Sequence, residues 1–168
     1  MNIIPPVKIE RFEQLQPGDL FVYMNEGAGC FALKLERERD NDPNKMVFIG
    51  PDFPHDMKES YILPWQKATV VSHGKNFNIV LPGRAASWKP QTEMRKPVCL
   101  AVIEKEVFFC TNGGTSPEHY IPCYIGAATG KIHMSRPAGS IAFTHDWKIT
   151  VPGPSDTSLS LLKYGMSA

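Results

Sequence analysis

Two stretches decide how this chain is read: Phe77-Asn78-Ile79-Val80-Leu81-Pro82-Gly83 and Trp147-Lys148-Ile149-Thr150-Val151-Pro152-Gly153. At a shift of 70 residues they lie over one another, with aromatic, Ile, aliphatic, Pro and Gly recurring in register. In the first, Phe77, Ile79 and Leu81 alternate with other residues, the period-2 pattern of a strand buried on one face. The Pro-Gly pair ends each strand, because proline has no N–H for a ladder and fixes φ. Each stretch follows a strand and a histidine-bearing turn, at His73 and at His145. A recurrence of this kind is what an internal duplication leaves behind.

Upstream of the first stretch the same grammar continues. Pro17-Gly18-Asp19 is a turn, after an extended arm over residues 1–16. Strands are expected at 20–23, 31–35, 46–49 and 68–72, before the one at 77–81. The charged run from Arg37 to Asp42 is the solvent end of a hairpin. The proline- and aspartate-rich segment 51–64 is a loop with one helical turn near 57–61. Upstream of the second stretch, strands are expected at 98–103 and 107–110 around Glu104-Lys105-Glu106, then at 120–125, 131–134 and 140–144. Leu20-Phe21-Val22-Tyr23 resembles Leu100-Ala101-Val102-Ile103, and Phe48-Ile49-Gly50 resembles Tyr124-Ile125-Gly126, at shifts unlike 70. Unequal loops between duplicated units give such shifts.

The expected fold is therefore mainly β, with two related five-stranded halves. They form either small SH3-like or OB-like barrels or one continuous β sandwich. The first half with its arm covers residues 1–83 and the second 98–154. Between them, 84–97 is polar, lacks periodicity and serves as a linker. Residues 155–168 are a tail or a short terminal helix: Leu159 and Leu162 stand three apart between Ser155 and Gly165, a spacing a helix would give.

Composition narrows the function classes. A chain of 168 residues buries about 70% of the surface its unfolded form exposes, enough for a core without staples. Its 15 prolines exceed the average share of about 5%, and their spread from Pro5 to Pro154 favours many short elements over long helices. A formal net charge of +1 argues against a bulk electrostatic partner such as nucleic acid or an anionic membrane. The amino terminus lacks a charged-then-apolar leader pattern, and no apolar run approaches about 20 residues. The four cysteines stand singly in strand-like runs and read as free thiols in a reducing cytoplasm.

Candidate sites follow from residue chemistry. Cys110 ends an apolar strand before Asn112-Gly113-Gly114, with His119 nine residues on, so a thiol, a base and loop N–H donors lie close in sequence. That constellation would make a small cysteine-dependent enzyme. Arg84, Lys89, Arg95 and Lys96 surround Trp88, joining phosphate-pairing charge to a stacking ring, which suits single-stranded nucleic acid. The histidines (His55, His73, His119, His133, His145) show no metal-ligand spacing, and Asp40-Asn41-Asp42-Pro43-Asn44 lacks the central Gly and distal Glu of a calcium loop. No metal or cofactor is expected. In the absence of a catalytic motif, the leading expectation is a non-catalytic binding or assembly module for a protein partner or small ligand.

Overall fold

A computed structural model of the chain describes residues 7–25, 28–49, 62–64, 68–83, 88–89, 99–112, 122–139, 141–153 and 158–164. Fifteen strands lie among them. The first seven are β1 (Lys8–Arg11), β2 (Leu20–Asn25), β3 (Ala28–Lys34), β4 (Lys45–Phe48), β5 (Ile62–Pro64), β6 (Thr69–Gly74) and β7 (Asn78–Val80). The second seven are β8 (Trp88–Lys89), β9 (Cys99–Ile103), β10 (Glu106–Asn112), β11 (Pro122–Gly126), β12 (Ile132–His133), β13 (Ile141–Thr144) and β14 (Trp147–Pro152); β15 (Ser158–Tyr164) follows. One sheet runs β1-β6-β2-β3-β4-β5 and another β8-β13-β9-β10-β11-β12. The second order is the first with seven added to each number, and every pairing in both is antiparallel. The two halves therefore share one topology.

The remaining sheet, β15-β14-β7, joins them. β7 and β14 are the two recurring stretches, and they pair with each other: Asn78 lies opposite Thr150, Ile79 opposite Ile149 and Val80 opposite Lys148. The shift of 70 exchanges the partners of the outer two pairs and maps Ile79 onto Ile149. A local two-fold axis thus passes through the Ile79–Ile149 pair.

Side-chain alternation sends each sheet's two faces to different cores. The rows Leu20–Leu33–Val47 and Leu100–Phe109–Ile125 hold matching positions in the two sheets. All six side chains are fully buried in one shared core with Leu35, Ile49, Trp147 and Ile149. Their sequence neighbours face the other way. Phe21, Ala32, Met46 and Phe48 join Phe12 and Val70 in a cluster belonging to the first half. Cys99, Ala101, Phe108, Cys110 and Tyr124 join Phe143 in the second half's counterpart. Burying each large apolar side chain contributes about 1.5–3 kcal/mol, so the shared core is a principal force holding the halves together. Trp147 closes it, edge-on to Phe109 with ring centroids 5.7 Å apart.

Backbone contacts lock the halves a second time. Gln16, Pro17, Gly18 and Asp19 form a tight turn: the Asp19 N–H donates to the Gln16 carbonyl at 3.0 Å, and Gly18 takes φ +86°. Pro at the second and Gly at the third position is the type II pattern. This turn lies against the turn after β11, where Gly130 (φ +66°) is so close to Lys34 and Gly18 that a Cβ would overlap the Lys34 carbonyl oxygen. Beside it, the Glu36 N–H donates to the Gly130 carbonyl at 2.9 Å.

Four expectations need correction. Neither six-stranded sheet closes into a barrel among the described residues; the halves form two open sheets packed on a common core. Among the described residues each half holds seven strands rather than about five: β1 and β5 in the first half and β8 in the second, at two to four residues, are too short for alternation to show. Within the expected linker, Trp88 and Lys89 form β8 against β13. The carboxy-terminal segment is β15, not a helix. Its burial alternates, with Ser158 and Ser160 exposed and Leu159 and Leu161 half-buried. The register then slips between Ile149 and Thr150, which makes Leu161 an extra, bulged residue. That extra leucine puts Leu159 and Leu162 three apart and mimics helical spacing. The expected helical turn at 57–61 lies outside the described residues.

Candidate functional site

Where β7 meets the second half, three turns converge. The turn after β6 brings Lys75 and Phe77. The two-residue turn between β9 and β10 brings Lys105, with Glu106 and Val107 from the strand behind it. The turn after β11 brings Ala127, Ala128 and Thr129. With Asn78 and Ile79 of β7 and Gly18, they line an open cleft of about 420 Å³. Its floor is apolar, because Phe77, Ile79 and Val107 also pack against the shared core. Lys75, Lys105, Glu106 and Thr129 are exposed. The volume lies within the range of small-molecule sites.

The sequence dictates each wall. Glu104 holds φ +56°, the left-handed conformation a two-residue hairpin loop demands; its own side chain lies against Gly139, and Lys105 beside it in the loop is exposed. The Thr129 N–H bonds the Gly126 carbonyl at 3.3 Å and the Gly130 N–H bonds it at 2.8 Å, closing the third turn. The first wall owes its shape to a bulge. Leu20 lies opposite Gly74 but Phe21 opposite Ser72, which leaves His73 as the extra residue of β6. Its ring lies 6.1 Å from Phe31 with Nδ1 buried and without a hydrogen-bond partner among the described residues, and burial lowers its pKa. His73 is thus a strand residue, whereas His145 follows β13.

Cys110 lies elsewhere. It sits in β10, opposite Cys99 in β9, in the buried cluster of the second half. Burial first, then hydrogen bonding with Cys99, raises its pKa well above the ordinary thiol value. Cys123 belongs to the shared core, where burial pushes its thiol up to about 12. A sealed thiol held in its protonated form is the opposite of what a cysteine nucleophile requires. His119 lies outside the described residues.

Trp88 is half-buried in β8, opposite Thr144, at the edge of the second sheet. Lys89 follows it in the strand, while Arg84, Arg95 and Lys96 lie outside the described residues. Among the described residues no three His, Cys, Asp or Glu side chains converge as a metal site. No described helix is long and apolar enough to cross a membrane.

A buried cation sits on the far side of the first sheet. Lys34 reaches over the Phe12 ring, with Nζ 3.8 Å from its centroid, and donates to Asn44 Oδ1 at 2.6 Å. Burial, with Arg37 adding to it, lowers its pKa to about 8. These contacts tie the segment after β1 to β3 and the β3–β4 loop.

Sequence reading places turns at His73 and at Glu104-Lys105-Glu106, two of the three that converge. It missed the cleft, because the turn after β6 comes beside turns of the second half through the pairing of β7 with β14, strands 70 residues apart. Comparison of the chain with protein-family models, with curated proteins and with solved structures finds no match in any of the three.

Proposed function

We propose that this protein is a non-catalytic binding or assembly module that takes a small ligand or a protein segment in the cleft between its halves. One observation carries the reading: an apolar floor and a lysine-bearing rim, built from turns of both halves, meet in one cleft of about 420 Å³. Burial of Cys110 speaks against the competing enzyme reading, since its thiol stays protonated at neutral pH. Thermal unfolding against a panel of metals, nucleotides, sugars, oligonucleotides and short peptides tests the proposal. A ligand at about 100 times its dissociation constant stabilises by about 2.7 kcal/mol. The expected result is a shift produced by one class and weakened by Lys75→Glu with Lys105→Glu. Turnover of any panel member would sink it.

We also infer that the halves descend from duplication of a seven-strand unit. The common strand order and the two-fold pairing of Ile79 with Ile149 support this. The comparison that tests it is among relatives of this chain: their two halves should align with each other at the same strands, and halves that never do would refute it. Four buried cysteines that form no disulfide support a reducing compartment such as the cytoplasm; fractionation that finds the protein in an oxidising one would overturn that.

A further inference from the structure

We propose that the cleft is a strand slot. Its ligand is an extended segment of a partner protein that adds to the outer edge of β7, with alternating apolar side chains and an acidic residue near one end. This rests on the reading of the cleft as the binding site and names the class of ligand it takes.

Local symmetry makes the argument. β14 is the counterpart of β7 in sequence and in topology, and it is paired on both edges, by β7 and by β15. β7 is paired on one edge only among the described residues. The asymmetry arises downstream of the shared Pro-Gly. After Pro152-Gly153 the chain returns as β15 along β14. After Pro82-Gly83 it departs to β8, which pairs with β13 in the second sheet. The place that β15 fills beside β14 thus has an equivalent beside β7, and the cleft runs along Phe77, Asn78 and Ile79.

Three features define the occupant. An open strand edge offers backbone N–H and C=O groups in a row, which only another extended backbone satisfies in series. β15 displays the side-chain chemistry that the equivalent edge accepts: exposed Ser158 and Ser160 alternate with Leu159 and Leu161, and Leu161 packs on the shared core. The apolar floor of the cleft suits the same alternation. At the rim, Lys75 and Lys105 outnumber the single acid, Glu106, so the complementary ligand carries negative charge.

The test uses the full chain and an acetylated, amidated peptide copying residues 156–164, which begins at Asp156 and carries the β15 pattern. A version with a second acid at its start and a version N-methylated at alternate residues accompany it. Amide hydrogen exchange is measured with peptide at about 1 mM, where even a weak site of about −4 kcal/mol is half filled. The expected result is protection confined to residues 76–81, loss of binding on N-methylation, and affinity about tenfold weaker in Lys75→Glu with Lys105→Glu. Both lysines are exposed, so this variant keeps its fold, and circular dichroism checks that it does. N-methylated peptide that binds equally well would overturn strand addition while leaving the cleft as the binding site. Protection at 147–151 instead means that the peptide displaces β15, and refutes the slot. A dimer in sedimentation with β7 protected makes a second copy the occupant and refutes the partner strand. No binding by any peptide overturns the proposal, and a small-molecule hit in the thermal panel would then keep the cleft without the slot.

Discussion

Ile79 and Ile149, 70 residues apart, lie directly opposite one another at the centre of the β7–β14 pair. Ile149 is fully buried and Ile79 half-buried. Two strands with nearly the same sequence signature thereby become the joint between two sheets of the same topology. This contact acts with the shared core and the interlocked turns to hold the halves together, and it sets β7 along the cleft.

Removing that joint should cost more than either side chain alone suggests. Ile149→Ala leaves a cavity in the shared core and is expected to destabilise by about 3 kcal/mol. Ile79→Ala, less buried, is expected to cost about 1–2 kcal/mol. Because the residues touch, a double-mutant cycle in denaturant should show a coupling of about 0.5–1 kcal/mol. Strict additivity would mean that the strands do not pair as described.

Gly130 gives a sharper test of how the halves interlock. A Cβ there would strike the Lys34 carbonyl oxygen and come within 2.7 Å of the Gly18 nitrogen, so Gly130→Ala has to force the two turns apart. The expected loss is about 3 kcal/mol. Gly74→Ala is the control. Its φ of +59° is equally left-handed, but a Cβ there meets nothing within 4 Å, so only the backbone penalty of about 1 kcal/mol remains. Equal losses would show that the turns are not in contact.

Stability should climb with pH in two separate windows. His73 has a folded pKa below its unfolded value of 6.5, so as pH falls beneath 6.5 the unfolded chain takes up the proton first and the fold weakens. Lys34 holds its proton to about pH 8 when folded and to 10.5 when unfolded. Between those values the unfolded chain is the more protonated, and stability rises with pH. Cys110 and Cys123, whose pKa values are raised, pull the other way at alkaline pH, so the comparison has to be between variants. Thermal midpoints of His73→Phe should lose the acid slope, and those of Lys34→Met the rise above pH 8. Unchanged slopes would contradict the burial assigned to these groups.

The thiols offer a chemical check. Cys30, Cys99, Cys110 and Cys123 are all buried, and Cys110 is held protonated. Iodoacetamide at neutral pH should label none of them quickly in the folded protein and all of them after unfolding. Rapid, selective labelling of Cys110 would restore the enzyme reading.

How much of this the amino acids reveal in advance depends on element length. β2, β3, β9, β10 and β14 are five to seven residues long and show their alternation or their turns plainly, so the mainly β class was legible. Leu20 and Leu100 hold equivalent places, as the match at a shift of 80 expects. By contrast, Val47 rather than Ile49 is the equivalent of Ile125, because strand ends drift when loops differ in length. β8 was hidden by having two residues and β15 by its bulged Leu161. The cleft was hidden for a deeper reason. Lys75, Lys105 and Thr129 are ordinary turn residues, and a pairing across 70 residues brings the first beside the other two.

The most direct measurement is an amide-resolved NMR titration of the full chain with whichever ligand stabilises it in the thermal panel. The account expects shifts grouped at Lys75 to Ile79, Lys105 to Val107 and Gly126 to Thr129, around the cleft. Shifts centred on Trp88, or on Cys110 and its neighbours, with the cleft silent, would contradict it.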